Sequence, residues 1–181
     1  MEYRDNSALG VRTSLLGFGA MRLPTDGEGK IREAESTALL HRALEGDINY
    51  IDTAHNYLNS QSEAFLGRAL ADVPRESYYL ATKLPVWMVE SAADADSIFA
   101  LQQERLRTDY FDFYLFHALD AGRWKRLVEQ GLLEWADGLL RAGKIRRLGF
   151  SFHDSFQVFE EILTARKWDF CQLQLNYLDA E

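Results

Sequence analysis

Four side chains set the chemistry open to this sequence: Asp52, Tyr57, Lys83 and His117 each fall at or just past the C-terminal end of a strand-like run. Together they form a set for delivering a proton to a carbonyl oxygen. A phenol with a reference pKa of about 10 is a poor acid at neutral pH, so Tyr57 needs a neighbouring cation that favours its phenolate. Lys83 can be that cation, and a carboxylate such as Asp52 would keep the lysine charged and fix where its flexible stem points. His117 would orient the substrate oxygen. Singly, each has a plainer role: Asp52 a turn cap, Tyr57 a surface aromatic, Lys83 a solvated strand-end charge, His117 a core histidine bonded to a backbone carbonyl. Their joint placement on matched strand ends is what favours chemistry.

The elements that must position them alternate. Strand-like runs lie at Ser14–Gly19, Ile48–Asp52, Tyr78–Lys83, Phe111–His117, Ile145–Ser151 and Phe170–Leu175, with centres 25 to 34 residues apart. Between them, Ile31, Ala34, Ala38, Leu39 and Ala43 share one helix face, and Ser60 with Glu63 reads as a capping box for a helix over Ala64–Leu70. Ile98–Leu106, Leu132–Arg141 and Ser155–Arg166 also read as helices. Strand, helix, strand at this spacing implies a parallel sheet covered by helices. An open dinucleotide-binding sheet should show G-x-G-x-x-G at its first turn, but Gly17-Phe18-Gly19-Ala20-Met21-Arg22 has arginine at the third glycine site. Catalytic candidates on strands two, three and four instead suit a (β/α)8 barrel, where every strand feeds one mouth. A full barrel needs eight strands and about 250 residues. The expectation is therefore an α/β fold, a partial (β/α)8 TIM barrel with about six of eight βα units, forming a single unit over residues 1–181.

Composition narrows the setting. At 181 residues and 47% apolar content the chain can bury one substantial core. No run approaches 18 apolar residues, and Met1-Glu2-Tyr3-Arg4-Asp5-Asn6 lacks the order of a signal peptide, so the expected location is cytoplasmic, without a membrane. The single cysteine, Cys171, allows neither an internal disulfide nor a four-thiolate metal site and suits strand packing. A net charge of -8 without a basic, aromatic stripe argues against nucleic acid as a partner.

Five runs, Gly17 to Pro24, Asn49 to Tyr57, Ala81 to Pro85, Asp112 to His117 and Gly143 to Ser151, resemble the aldo-keto reductase superfamily. The resemblance covers the whole chain. It implies that Tyr57 is the general acid, that Lys83 and Asp52 tune it, and that His117 steers the carbonyl of a small-molecule aldehyde or ketone. It also implies NADPH as hydride donor at the barrel's C-terminal mouth, with Gly19, Met21, Asp52, Ser151 and Gln172 on the cofactor side and Gln174 the rival of Gln172 by register. Trp87 could line the substrate pocket. Where many members carry asparagine after the strand-five serine, this chain has Phe152. Met21-Arg22-Leu23-Pro24, Lys83 to Trp87 and Phe150 to Asp154 are similar to a bacterial branch whose members carry a ferredoxin-like tail, so an iron-sulfur cluster is implied only if such a domain exists.

Two other readings of the same residues compete with this one. His55, His117 and His153 follow strands two, four and five and with Asp52 could gather a metal, as barrel hydrolases do, although no His-x-His or His-Glu-x-x-His run appears. A scaffold that binds nucleotide or a partner without turnover is the third class. The basic cluster Arg141, Lys144, Arg146 and Arg147 precedes strand five and so belongs at the end opposite the mouth. An unclosed barrel leaves two edge strands unpaired, from which self-association is expected.

Overall fold

The computed structural model describes residues 1–176 and 178. A short antiparallel hairpin comes first, β1 (Tyr3–Asn6) with β2 (Val11–Ser14). Six strands then pair side by side in chain order: β3 (Phe18–Gly19), β4 (Tyr50–Asp52), β5 (Tyr79–Leu84), β6 (Phe113–Leu119), β7 (Leu148–Phe152) and β8 (Phe170–Leu173). Every pair is parallel. The crossovers carry α1 (Glu33–Glu45), α2 (Ser62–Ala69), α3 (Ala92–Leu106), α4 (Ala121–Glu129) with α5 (Leu132–Arg141), and α6 (Phe156–Ala165). Sequential parallel strands joined by helices are the order of a (β/α)8 barrel, here with six strands.

Strand periodicity of two divides the core. Tyr50, Tyr79, Ala81, Phe113, Leu115 and Phe170 form an inner cluster with Leu9 and Val11 of the hairpin. Their neighbours in the strands, among them Ile51, Leu80, Leu84, Tyr114, Phe116, Leu148 and Phe150, pack outward under the helices. Within the inner cluster Phe113 meets Tyr50 at 5.1 Å and Phe170 at 5.0 Å between ring centroids, edge to face. These three rings come from alternate strands β4, β6 and β8, as in the layers of side chains that fill a closed barrel. Gly149 makes the last contact possible, because a Cβ there would lie 2.6 Å from the Phe170 carbonyl oxygen.

The hairpin closes the N-terminal end of the lumen. Asn49 accepts from Ser14 N at 2.7 Å and donates to Arg12 O at 2.9 Å, and the Arg147 guanidinium donates to Leu9 O at 2.6 Å. Arg147 is thus committed at the end opposite the candidate mouth, and Arg146 stacks over Tyr110.

Three local expectations are corrected. Ser14 belongs to the hairpin, so the first parallel strand is shorter than the apolar run suggested. α4 lies outside the helices read from sequence; Asp120 starts it by accepting from Arg123 N at 2.8 Å, and it buries Trp124 and Leu127. Ser60 does not cap α2, whose N-cap is Gln61, and Glu63 is buried rather than reaching back. In contrast α3 is capped as its sequence allows: Ser91 accepts from Asp94 N, and Ala95, Phe99, Gln102 and Leu106 form one buried face. Among the described residues no helix is long and apolar enough to cross a membrane.

Candidate active site

The centre of the site is an ammonium with every proton placed. Lys83 projects inward from β5, 1% exposed, and its Nζ donates to Asp52 Oδ1 at 2.8 Å, Asp52 Oδ2 at 2.7 Å, Thr53 O at 2.8 Å and Tyr57 Oη at 3.1 Å. The strand register produces this: Asp52 pairs with Ala81, so Lys83, two residues further along β5, lies one step nearer the mouth on the same inner face. Because Tyr57 accepts from the ammonium, its own hydroxyl proton is left to donate into the cleft. The ammonium also sits 4.8 Å from the Tyr57 ring centroid.

Tyr57 stands at the head of a left-handed turn. Leu58, Asn59 and Ser60 follow it with φ of 51°, 53° and 65°, a conformation that costs an L-residue with a Cβ roughly 1–2 kcal/mol. The turn reverses the chain within a few residues, so that β4 can end at Asp52 and α2 can start at Ser62.

His117 owes its position to a bulge. The β6–β7 register shifts between Phe116 and Leu119, and Ala118 takes φ of 51°. Ser151 Oγ accepts from Ala118 N at 2.7 Å and Arg123 donates to Ala118 O at 2.6 Å, which fixes the bulge from two sides. The imidazole then stands edge-on to Tyr57, with ring centroids 5.7 Å apart, and Trp87 lies 5.3 Å away on the short turn Val86–Met88. Arg123 in turn stacks over Trp87 at 5.0 Å. Burial above all, then the positive charges of Lys83 and Arg123, push the His117 pKa from 6.5 down to about 3. The ring is therefore neutral at physiological pH. Its Nδ1 is buried with no hydrogen-bond partner among the described residues.

The remaining sequence candidates line the same cleft. Met21, Asp52, Tyr57, Lys83, His117, Ser151 and Gln172 share it with Arg22 and His153. Ser151 and Gln172 are direct register partners on β7 and β8. That pairing favours Gln172 over Gln174, which lies beyond the last paired residue although it reaches the cleft rim. Gly19 pairs with Asp52 across β3 and β4 and borders the adjoining lumen. Met21 is 52% exposed on the opposite lip. Trp87 reaches the site through its contact with His117.

His55 does not join the other two histidines. It is buried at the base of α2, 3.9 Å from Glu63 and 3.5 Å from Arg105. Burial pushes its pKa down. Among the described residues no three His, Cys, Asp or Glu side chains cluster as metal ligands do. The sequence reading passed over Arg22, Arg123 and the buried set around Glu63 and Gln102. The signal for the last was available: Glu63 and Gln102 are polar residues on the apolar faces of their helices.

The chain has counterparts among known proteins. The model of the aldo/keto reductase family matches residues 15–180. An aldo-keto reductase of Bacillus subtilis, YhdN, is 32% identical over 160 residues, which is 83% of this chain and 47% of that protein. The solved holo form of an aldo-keto reductase from Bacillus halodurans superposes with a TM-score of 0.82 at 29% identity, over 97% of this chain and 58% of that one. An aldo-keto reductase from Klebsiella pneumoniae, solved in complex with NADPH, shares the fold with a TM-score of 0.68 at 24% identity, over 83% of this chain and 49% of that one. The chain spans about half the length of the curated relatives it matches. The match over residues 15–180 makes this chain a member of the aldo/keto reductase family.

Proposed function

We propose that the cleft belongs to an NADPH-dependent reductase of aldehydes or ketones in which Tyr57 is the general acid. The observation that carries this reading is the 3.1 Å hydrogen bond from the Lys83 ammonium to Tyr57 Oη, with both oxygens of Asp52 on the same ammonium. As Tyr57 gives its proton to the substrate oxygen, the phenolate that forms is already in contact with a positive charge that needs no rearrangement. Asp52 keeps that charge in a site almost closed to water. His117, neutral and without an acceptor for a proton on Nδ1, offers its remaining nitrogen to the substrate oxygen and so orients rather than protonates it. Trp87 forms one wall of the substrate side.

The residues present fit the cofactor. Ser151 uses its oxygen as an acceptor from Ala118, which leaves its hydroxyl proton for an amide carbonyl such as that of nicotinamide, and Gln172 stands beside it in register. Asp52 and Met21 border the same cleft, and Gly19 the lumen beside it. Arg22 lines the cleft and has no ion-pair partner among the described residues, so it supplies a cation for a polyanionic ligand. When bound, NADPH supplies the hydride to the carbonyl carbon.

The test is Tyr57→Phe in the longest natural form of the protein, read as carbonyl-dependent NADPH oxidation and separately as NADPH affinity. Turnover should fall by about 100-fold or more, the usual contribution of a general acid, while affinity is unchanged. Retained turnover would overturn the assignment.

A further inference from the structure

We propose that Gln102, with Glu63 and Tyr114 behind it, is a positioning residue for Lys83, an inference that rests on the relay described above. The cleft is backed by a layer of polar side chains that never reaches it. Glu63, Thr82 and Gln102 are each 0% exposed, as is Tyr114. Gln102 Nε2 donates to Lys83 O at 3.0 Å and to Glu63 Oε1 at 2.8 Å, and Gln102 Oε1 accepts from Tyr114 Oη at 2.7 Å. Thr82 Oγ1 donates to the same Glu63 oxygen at 2.7 Å. Arg105, 22% exposed, answers the carboxylate charge from 3.3 Å.

Every partner in this set is matched donor to acceptor, so the amide of Gln102 has one orientation. A helix-borne side chain therefore clamps the backbone of the lysine residue at the point where β5 ends. The stem of a lysine is flexible, and an ammonium that must touch Asp52, Thr53 and Tyr57 together tolerates little movement at its base. The helices can deliver these groups because Gly67 on α2 lies against Arg105 and Leu106 of α3, where a Cβ would come within 2.0 Å of the Arg105 carbonyl oxygen. The buried carboxylate of Glu63 is used here as an acceptor, which accounts for a charge that neither caps a helix nor faces the cleft.

The experiment uses the whole chain labelled with carbon-13 at tyrosine Cζ, with the Tyr57 resonance identified as the one lost in Tyr57→Phe. Lys83→Met should displace that resonance, since it removes the hydrogen bond on the phenol oxygen. Gln102→Met, which changes neither charge nor volume greatly, should displace it comparably, and Tyr114→Phe, which frees the amide of Gln102 to turn, by less. Gln103→Met, on the outer side of the same helix, should leave it in place. Glu63→Gln keeps an oxygen for Thr82 and Gln102 and should preserve the resonance near its original position. If Gln102→Met does not fold, Tyr114→Phe decides. A resonance unmoved by Gln102→Met and Tyr114→Phe but moved by Lys83→Met overturns the positioning role alone. A resonance unmoved by Lys83→Met overturns the relay, and this inference with it.

Discussion

One ring should make a separable contribution to the acid sensitivity of this protein. His117 is held neutral with a pKa of about 3, against about 6.5 in the unfolded chain. Above the unfolded value neither state binds the proton and the ring contributes no pH dependence. Below it, the unfolded chain takes up a proton that the folded ring refuses, so stability falls as pH drops, through a window that ends near the folded value. The loss is about 2 kcal/mol by pH 5 and about 3 kcal/mol by pH 4, with a slope that approaches 1.4 kcal/mol per pH unit. His117→Gln removes the titrating group and keeps a polar side chain of similar reach. Urea unfolding of both proteins at about pH 7 and pH 5 isolates the effect, because the carboxylates and the similarly depressed His55 are common to both and cancel. The variant should lose less stability on acidification by about 2 kcal/mol. Equal losses in the two proteins would refute the claim that burial and neighbouring cations keep this imidazole uncharged.

Other perturbations probe the scaffold. Ser60→Gly relieves the last of three left-handed residues after Tyr57 and should raise stability by about 1 kcal/mol, seen as a higher Tm; a lower Tm would mean the turn is not strained there. Gly67→Ala drives a methyl into the Arg105 carbonyl and should cost about 3 kcal/mol in urea unfolding, whereas a small loss would mean that α2 can move off α3 freely. Among the described residues β3 and β8 are the edges of the sheet, beside a partly open lumen at Phe170, and we propose that this chain self-associates through them. Size-exclusion chromatography should show species larger than a monomer, and a compact monomer at all concentrations would contradict this.

The fold was legible wherever local pattern and tertiary demand agreed. Apolar runs that end in a polar residue gave four of the parallel strands, β4 to β7, their place, because such strands are largely buried on both faces and only the mouth is polar. The hairpin was not legible: Tyr3–Asn6 is exposed and polar, and its strand character depends on β2 and on the ends of β4, β5 and β7 that it covers. α4 escaped for a different reason, since its nine residues present only Trp124 and Leu127 to the core. The misread capping box is more instructive. Ser60 and Glu63 have the right types and spacing, but the left-handed turn takes Ser60 out of range and the interior takes Glu63 for another purpose. Side-chain competition of this kind leaves no trace in spacing.

The candidate site was legible for a reason that also limits it. Asp52, Lys83 and His117 come from three adjacent strands, and strand periodicity plus parallel register is enough to bring their side chains onto one inner face. What the register alone does not supply is the last ångström. On β6 the bulge at Ala118 turns His117 toward Tyr57, and that bulge is held by Ser151, itself a cofactor-side candidate, and by Arg123 from α4. Arg123 also covers Trp87, so Trp87, the His117 imidazole and Ser151 on β7 are linked through one set of contacts. A ligand that engages the Ser151 hydroxyl therefore acts on a group already bonded to the backbone beside His117. On the function proposed above, cofactor binding at Ser151 and carbonyl orientation by His117 would be joined through the Ala118 peptide, by a hydrogen bond of 2.7 Å between two adjacent strands rather than by any residue that touches substrate.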